Sequence, residues 1–164
     1  MKRSAPVLCV MEIPDHVLHK YAESLLAFTR WDKDGVSKCT VDLSKAVGPT
    51  QARWLRELGL NRSFAVITAW NPLGVSIGEE ANSAAHDSLR EALSLAAIDT
   101  SVACMGCSPD MAHTEQGLAA MMDREAAMEV ARTFGQLAMF WYENECFSIV
   151  PLGQNESAVP LPLA

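Results

Sequence analysis

Six polar residues stand where side chains could meet a ligand: Thr68, Asn71, Glu79, Asn82, Glu115 and Gln136. Thr68 and Asn71 close the apolar run Phe64-Ala65-Val66-Ile67-Thr68-Ala69-Trp70, which is rich in aromatic and β-branched residues and reads as a buried strand. Asn71-Pro72 stops it, because proline offers no ladder donor and restricts the residue before it. Beyond Gly74, Ser76-Ile77-Gly78-Glu79 fits a capping box, so a helix N-terminus with free N–H groups would face the strand end. In open α/β sheets, ligands sit outside the carboxyl ends of strands. Amides and hydroxyls there would orient a small polar ligand, and Glu79 or Glu115 would supply the carboxylate, the general base of any catalysis. A plainer account needs no ligand. Asn71 then forms a turn, Ser76 and Glu79 only cap the helix, and Gln136 satisfies buried backbone.

Other clusters invite chemistry less strongly. Cys104-Met105-Gly106-Cys107 with His113 offers zinc-type ligands, but no second Cys or His pair has finger spacing. A redox pair would open a helix after a strand, whereas Pro109 and more loop follow Cys107. Cys104 packed on a strand as a small hydrophobe is the simpler reading, so no metal site is expected. There is no Gly-x-Ser-x-Gly, phosphate loop or His-Glu-x-x-His, and His16, His19 and His86 read as outward-facing. Arg53, Arg56 and Arg62 beside Trp54 could grip an anion, but Glu57 among them favours a solvated ion-pair network. Met121, Met122, Met128 and Met139 with Phe140-Trp141-Tyr142 are either core or an apolar contact face; helices covering that face are the favoured account.

The elements that must position these groups alternate. Pro14 and Asp15 open a helix with Leu18, Tyr21, Leu25 and Phe28 on one face, and Trp31 to Gly35 is a turn. Val36, Cys39, Val41 and Leu43 suggest a strand, and Pro49-Thr50 starts a short helix, Gln51 to Leu58, that Gly59 stops. The helix behind the capping box directs Ala81, Ala85, Leu89, Ala92, Leu93 and Ala96 toward a core. Thr100 to Met105 is a strand, Gly106 to Thr114 a loop, and Leu118 to Met122 either strand or helix. Asp123 caps a helix that Gly135 ends, and Leu137–Tyr142 with Cys146–Val150 form a hairpin around Glu143-Asn144-Glu145.

Composition bounds the rest. The chain has 164 residues and a net charge of −7, with 49% hydrophobic and 20% charged residues, which is globular composition for one domain. The acidic balance argues against broad nucleic-acid binding. The basic start Met1-Lys2-Arg3 and the apolar stretch Ala5 to Met11 are cut by Glu12, Pro14 and Asp15, unlike a signal peptide. No apolar run is long enough to span a membrane, and five scattered cysteines (Cys9, Cys39, Cys104, Cys107, Cys146) do not form a disulfide framework, so a cytoplasmic, reduced protein is expected.

Two motifs, Ile67-Thr68-Ala69-Trp70-Asn71-Pro72 and Phe134-Gly135-Gln136-Leu137-Ala138-Met139-Phe140-Trp141, resemble an uncharacterised bacterial family, domain-of-unknown-function family 3293. Asn71, Pro72, Glu79, Asn82, Glu115, Gly135 and Gln136 occupy the family's corresponding places across roughly residues 36 to 150. The segment Cys107-Ser108-Pro109-Asp110-Met111-Ala112-His113-Thr114 departs from it, being shorter and poorer in glycine and aromatics. The resemblance implies a fold and no activity.

The expectation is therefore one α+β domain: a central mixed β-sheet covered by helices, with a C-terminal β-hairpin and an extra N-terminal helix. Residues 1–35 read as a helical extension packed on the domain, 36–152 as the α+β domain and 153–164 as a surface tail. Two functions from different classes fit: a small-ligand pocket, enzymatic or not, at the strand ends, and a protein-interaction module without catalysis that uses the aromatic and methionine surface. The sequence leaves any cofactor unknown and a homo-oligomer open, and gives no sign of a membrane partner.

Overall fold

The structure is a computed structural model that describes residues 12–153 and 157–164. The stretch from Met1 to Met11, with its basic start and Cys9, lies outside the described residues. An N-terminal helix, α1 (Asp15–Ala22), leads into a hairpin of β1 (Leu25–Asp32) and β2 (Gly35–Asp42), followed by helix α2 (Pro49–Glu57) and strand β3 (Phe64–Thr68). A short 3-10 turn (Pro72–Gly74) precedes helix α3 (Glu79–Leu95). Strands β4 (Val102–Cys107) and β5 (Thr114–Ala120), helix α4 (Arg124–Thr133), and strands β6 (Ala138–Glu143), β7 (Cys146–Pro151) and β8 (Val159–Pro160) complete the chain. The strands form one eight-stranded sheet in the order β2-β1-β4-β5-β3-β6-β7-β8.

The chain is thus a single α+β domain with the expected C-terminal hairpin. The sheet is antiparallel at every pairing rather than mixed. Parallel neighbours would need helical crossovers between adjacent strands. Here β4 and β5 join directly as a hairpin, and β3 is inserted between β5 and β6.

The largest departure from expectation is at the start. The helix stops at Ala22, and Leu25 and Phe28 belong to a strand hydrogen-bonded to β2 on one side and β4 on the other. The spacing Leu18, Tyr21, Leu25, Phe28 fits a helix, but Leu26 and Phe28 also alternate, and pairing on both sides decides for the strand. Strand β4 runs two residues later than expected, Leu118 to Ala120 resolve as strand, and the tail pairs through β8 with Leu161 buried.

Alternation gives the sheet two cores. One face carries Leu26, Phe28, Val66, Cys104, Ala119 and Ile149, with α1 and α2 packed against them. Its centre is an aromatic cluster in which Phe64 lies 4.8 Å from Tyr142 and 6.0 Å from Phe28, and Phe147 lies 4.8 Å from Tyr142. The other face carries Ile67, Leu118, Met139 and Trp141 beneath Leu89 and Leu93 of α3 and Ala127 and Ala131 of α4. Both faces of Phe140-Trp141-Tyr142 are therefore covered, with Trp141 only 6% exposed, as the covering-helix account expects.

Two glycines thin the first face. A Cβ on Gly117 would lie 2.8 Å from the Ile67 carbonyl oxygen, whereas one on Gly106 would meet only the Glu115 carbonyl oxygen, at 4.0 Å. Gly117→Ala is expected to lower stability by about 1–3 kcal/mol, the usual scale of overpacking. Gly106→Ala should leave it unchanged or slightly raised, through a stiffer unfolded chain. Urea unfolding of both variants checks this, and equal midpoints would contradict it.

Candidate functional site

Asn71 closes β3 with φ 45°, a left-handed conformation that asparagine tolerates better than most residues. Its backbone N–H donates to Asn82 Oδ1 at 2.8 Å, and Asn82 Nδ2 donates back to Asn71 Oδ1 at 2.9 Å. Asn82 is 4% exposed, so this reciprocal pair ties the strand end to the first turns of α3 away from water. The remaining donor, Asn71 Nδ2, reaches Glu115 Oε1 at 3.2 Å.

The second motif packs onto the same turn. Gln136 Nε2 donates to the Trp70 carbonyl at 3.1 Å and the Phe134 carbonyl at 3.2 Å, and the Leu73 N–H donates to the Gly135 carbonyl at 2.8 Å. Gly135, at φ 70°, needs its bare Cα, since a Cβ would stand 3.0 Å from that of Pro72. Thr68 is also engaged with main chain: its Oγ1 donates to the Gln116 carbonyl at 2.7 Å and accepts the Trp70 N–H at 3.0 Å.

Beside this network lies a cavity of about 750 Å³, between α1 and the sheet. It opens where β3, β4 and β7 end and β1, β5 and β6 begin. Val66, Cys104, Phe140 and Ile149 form apolar wall, and Gly106 and Gly117 leave the floor bare of side chains. Glu115, Thr68 and Gln136 line it, joined by Tyr21 of α1 and His113 of the β4–β5 loop. Such a volume is in the range of small-molecule sites.

The six residues named from sequence thus divide. Glu115, Thr68 and Gln136 line the cavity; Asn71 and Asn82 do not line it, and Asn71 holds Glu115 by its side-chain amide. Glu79 is apart from both, exposed on the first turn of α3. The capping box does not form, for Gly78 takes the N-cap position at φ 88° with no side-chain hydrogen bond. The buried stripe of α3 runs Asn82, His86, Leu89, Leu93, while Ala81, Ala92 and Ala96 are exposed. His86, expected outside, is 7% exposed. Burial, and then the Arg90 charge, hold its imidazole below the ordinary 6.5.

Electrostatics single out Glu115. Burial pushes its carboxyl above the ordinary 4.5, and the Asn71 hydrogen bond and nearby His113 offset this only in part. Tyr21 has its phenol raised by burial and by the Glu115 charge, so it stays protonated, a donor. The cysteines fit the packing account: burial raises the Cys104 thiol well above its usual value, and Cys104 belongs to the core beside Cys39. Among the described residues no three His, Cys, Asp or Glu gather as metal ligands. The arginine cluster is a set of exposed contacts, Arg53 with Glu57 at 3.5 Å and Arg56 with Glu145 at 2.9 Å. Sequence reasoning misses Tyr21, Gly106 and Gly117 as lining. In sequence Tyr21 is only part of an apolar helix face, and the two glycines mark the site only once β4 and β5 are paired.

Fold and site together define a class: a one-domain α+β protein with an antiparallel sheet and a cavity at one end of its strands. The resemblance read from the sequence is shown, since residues 67–139 match the family described as Protein of unknown function (DUF3293). No curated protein and no solved structure matches the chain. The matched segment holds all six candidate residues, whereas the α1 wall with Tyr21 lies outside it. Among the described residues, no helix is long and apolar enough to cross a membrane.

The amide pair and the carboxyl can each be tested. Asn82→Ala leaves the Asn71 N–H and Oδ1 without their partner and should cost about 1–3 kcal/mol in urea unfolding; a loss below the error of the measurement would mean that the pair holds nothing. A carboxyl raised by folding binds its proton more tightly folded than unfolded, so its contribution to stability falls as pH rises from 4.5 through the raised value. Glu115→Gln should therefore match the wild type below pH 4.5 and gain on it above, by about 1 kcal/mol or less for a half-exposed group. A constant difference across that window would contradict it.

Proposed function

We propose that this protein binds a small, partly apolar molecule in the cavity between α1 and the sheet, with Glu115 as its polar anchor. The observation that carries this reading is the open floor at Gly106 directly opposite Glu115 in the β4–β5 register. A sheet face otherwise filled by phenylalanines and aliphatic side chains is bare at that position, next to a half-buried carboxylate that Asn71 orients. Asn71, Asn82 and Gln136 act as scaffold for the anchor, each using its amide N–H groups within the protein. Where the bound molecule undergoes reaction, Glu115 is the group placed to take a proton, since its raised carboxyl lies nearer the range of a working base. A cytoplasmic setting accords with the reduced thiols.

The alternative reading, a protein-interaction module without catalysis, loses its aromatic and methionine surface, because Trp141 and Met139 are buried. Among the described residues the exposed large apolar side chains are instead Trp31, Val36, Trp54, Leu73, Val75, Ile77, Leu95, Met105 and Met111, with Trp31 directly opposite Val36 across the β1–β2 pair. These residues are spread over β1, β2, α2, the segment before α3, the end of α3 and the β4–β5 hairpin rather than gathered on one element, so the cavity is the stronger case.

Gly106→Leu tests the reading. The new side chain enters the cavity from strand backbone, and the Cβ position is free of close neighbours. A thermal-shift screen of polar and amphipathic metabolites should give hits on the wild type that vanish in Gly106→Leu, with the variant as stable as the wild type or more so. Hits that persist in a folded Gly106→Leu would place binding elsewhere and end the proposal.

A further inference from the structure

Resting on that reading, we infer that the molecule taken by the cavity is an organic cation: an amine with an aromatic or aliphatic body, its ammonium set against Glu115 beside Tyr21 and Phe140. The observations behind this concern charge, shape and chemistry separately. Among the described residues lining the cavity there are four carboxylates, Glu12, Glu23, Asp110 and Glu115, against one lysine, Lys20, and His113. No arginine is among those lining residues. An anion entering would meet net negative charge; a cation would be drawn in, and the chain's overall −7 acts in the same sense.

The carboxylates are not equivalent. Asp110 is spoken for by its own loop, accepting from Ser108 Oγ at 2.6 Å and from the Ala112 N–H at 3.1 Å. Glu12 and Glu23 are exposed at the rim. Glu115 alone stands inside with a single donor on one oxygen and, among the described residues, no ion pair. A half-buried carboxylate so placed is short of positive charge, and a desolvated ammonium supplies it in charge-assisted hydrogen bonds.

Aromatic walls complete the match. Tyr21 and Phe140 both line the cavity and meet edge to face with centroids 6.1 Å apart. Aromatic rings lining a cavity beside a carboxylate suit an organic ammonium group, through cation–π attraction. The Tyr21 phenol, kept protonated next to Glu115, adds a polar edge without adding negative charge. Val66, Cys104 and Ile149 then receive the apolar body.

Three isosteric probes separate this inference from the reading beneath it: phenethylamine, phenethyl alcohol and phenylacetate. Each is titrated at neutral pH into the full chain and monitored by NMR through the backbone amides of Gly106 and Glu115. Phenethylamine should bind about tenfold or more tightly than the alcohol, and phenylacetate least of all, since one charge pair in a partly buried site is worth about a factor of ten or more. Glu115→Gln should bring amine and alcohol level while leaving the alcohol's affinity unchanged, and Glu115→Asp should keep part of the preference. If all three bind the wild type alike and all are lost in Gly106→Leu, the cavity reading stands and the charge inference is overturned. If phenylacetate binds best, Glu115 acts as a protonated donor and the inference is likewise wrong. If no probe binds the wild type, or binding survives Gly106→Leu, the cavity reading itself falls and takes this one with it.

Discussion

The arrangement of the site depends on one pair of side chains, Asn71 and Asn82. A strand that ends in Asn-Pro could leave the sheet in many directions, since proline blocks continuation without setting a new course for the chain. The reciprocal amide bonds remove that freedom. They hold Asn71 in a left-handed conformation, fix the first turns of α3 against the end of β3, and leave one amide proton pointing to Glu115. The same turn is clasped from the other side, where Gly135 lets Pro72 approach and Gln136 caps the Trp70 carbonyl. Two motifs more than sixty residues apart are thereby one structural unit. Being buried, the network is costly if broken, because each orphaned amide would lose hydrogen bonds that water cannot replace.

A cavity next to so well-filled a core needs its own cause. On the sheet face under α1 and α2, one end is packed by Phe28, Phe64, Tyr142 and Phe147. At the other end the same alternation places Gly106 and Gly117 where side chains would stand, and α1 spans above them with only eight residues. Gly117 is dictated by the backbone, because the Ile67 carbonyl leaves no space for a Cβ. Gly106 is not, for open space surrounds its missing side chain. The hollow thus arises partly from strand packing and partly from a residue choice that packing alone does not require.

How much of this is legible in the chain depends on the range of the interaction. The strand Phe64–Thr68, the helix capped by Asp123, the stop at Gly135 and the last hairpin are all legible, because each is signalled by neighbours in sequence. Asp123 does accept from the Glu125 and Ala126 N–H groups. The segment Leu25–Asp32 misleads because its spacing suits a helix as well as a strand, and what settles it is pairing with β4 some eighty residues on. The buried face of α3 is displaced by one position for a related reason. Alanines suggest one stripe, but the sheet accepts Asn82 and His86 because Asn82 finds its partners at Asn71. Of the six candidate residues, Thr68, Glu115 and Gln136 line the cavity, Asn71 and Asn82 bond to each other beside it, and Glu79 is drawn in by a capping box that does not form. Tyr21 and Gly106 carry no local signal, since their shared place emerges only when the folded chain brings α1 and the β4–β5 hairpin around one cavity.

In the proposed reading, Glu115 is what separates a hollow from a site. An unfilled space lined by aliphatic groups would be a packing defect, and its cheapest correction is a larger side chain at Gly106. A carboxylate at the same spot changes the argument. The fold holds it where burial raises its pKa, and supplies one neutral donor where a paired carboxylate would have a cation. Stability alone favours a glutamine at that position, which could keep the Asn71 hydrogen bond with no charge to desolvate. A structure that instead keeps a charge under-compensated, beside an open floor and two aromatic rings, has a local preference it does not satisfy internally. It is on that unsatisfied preference that the proposed ligand-binding reading rests.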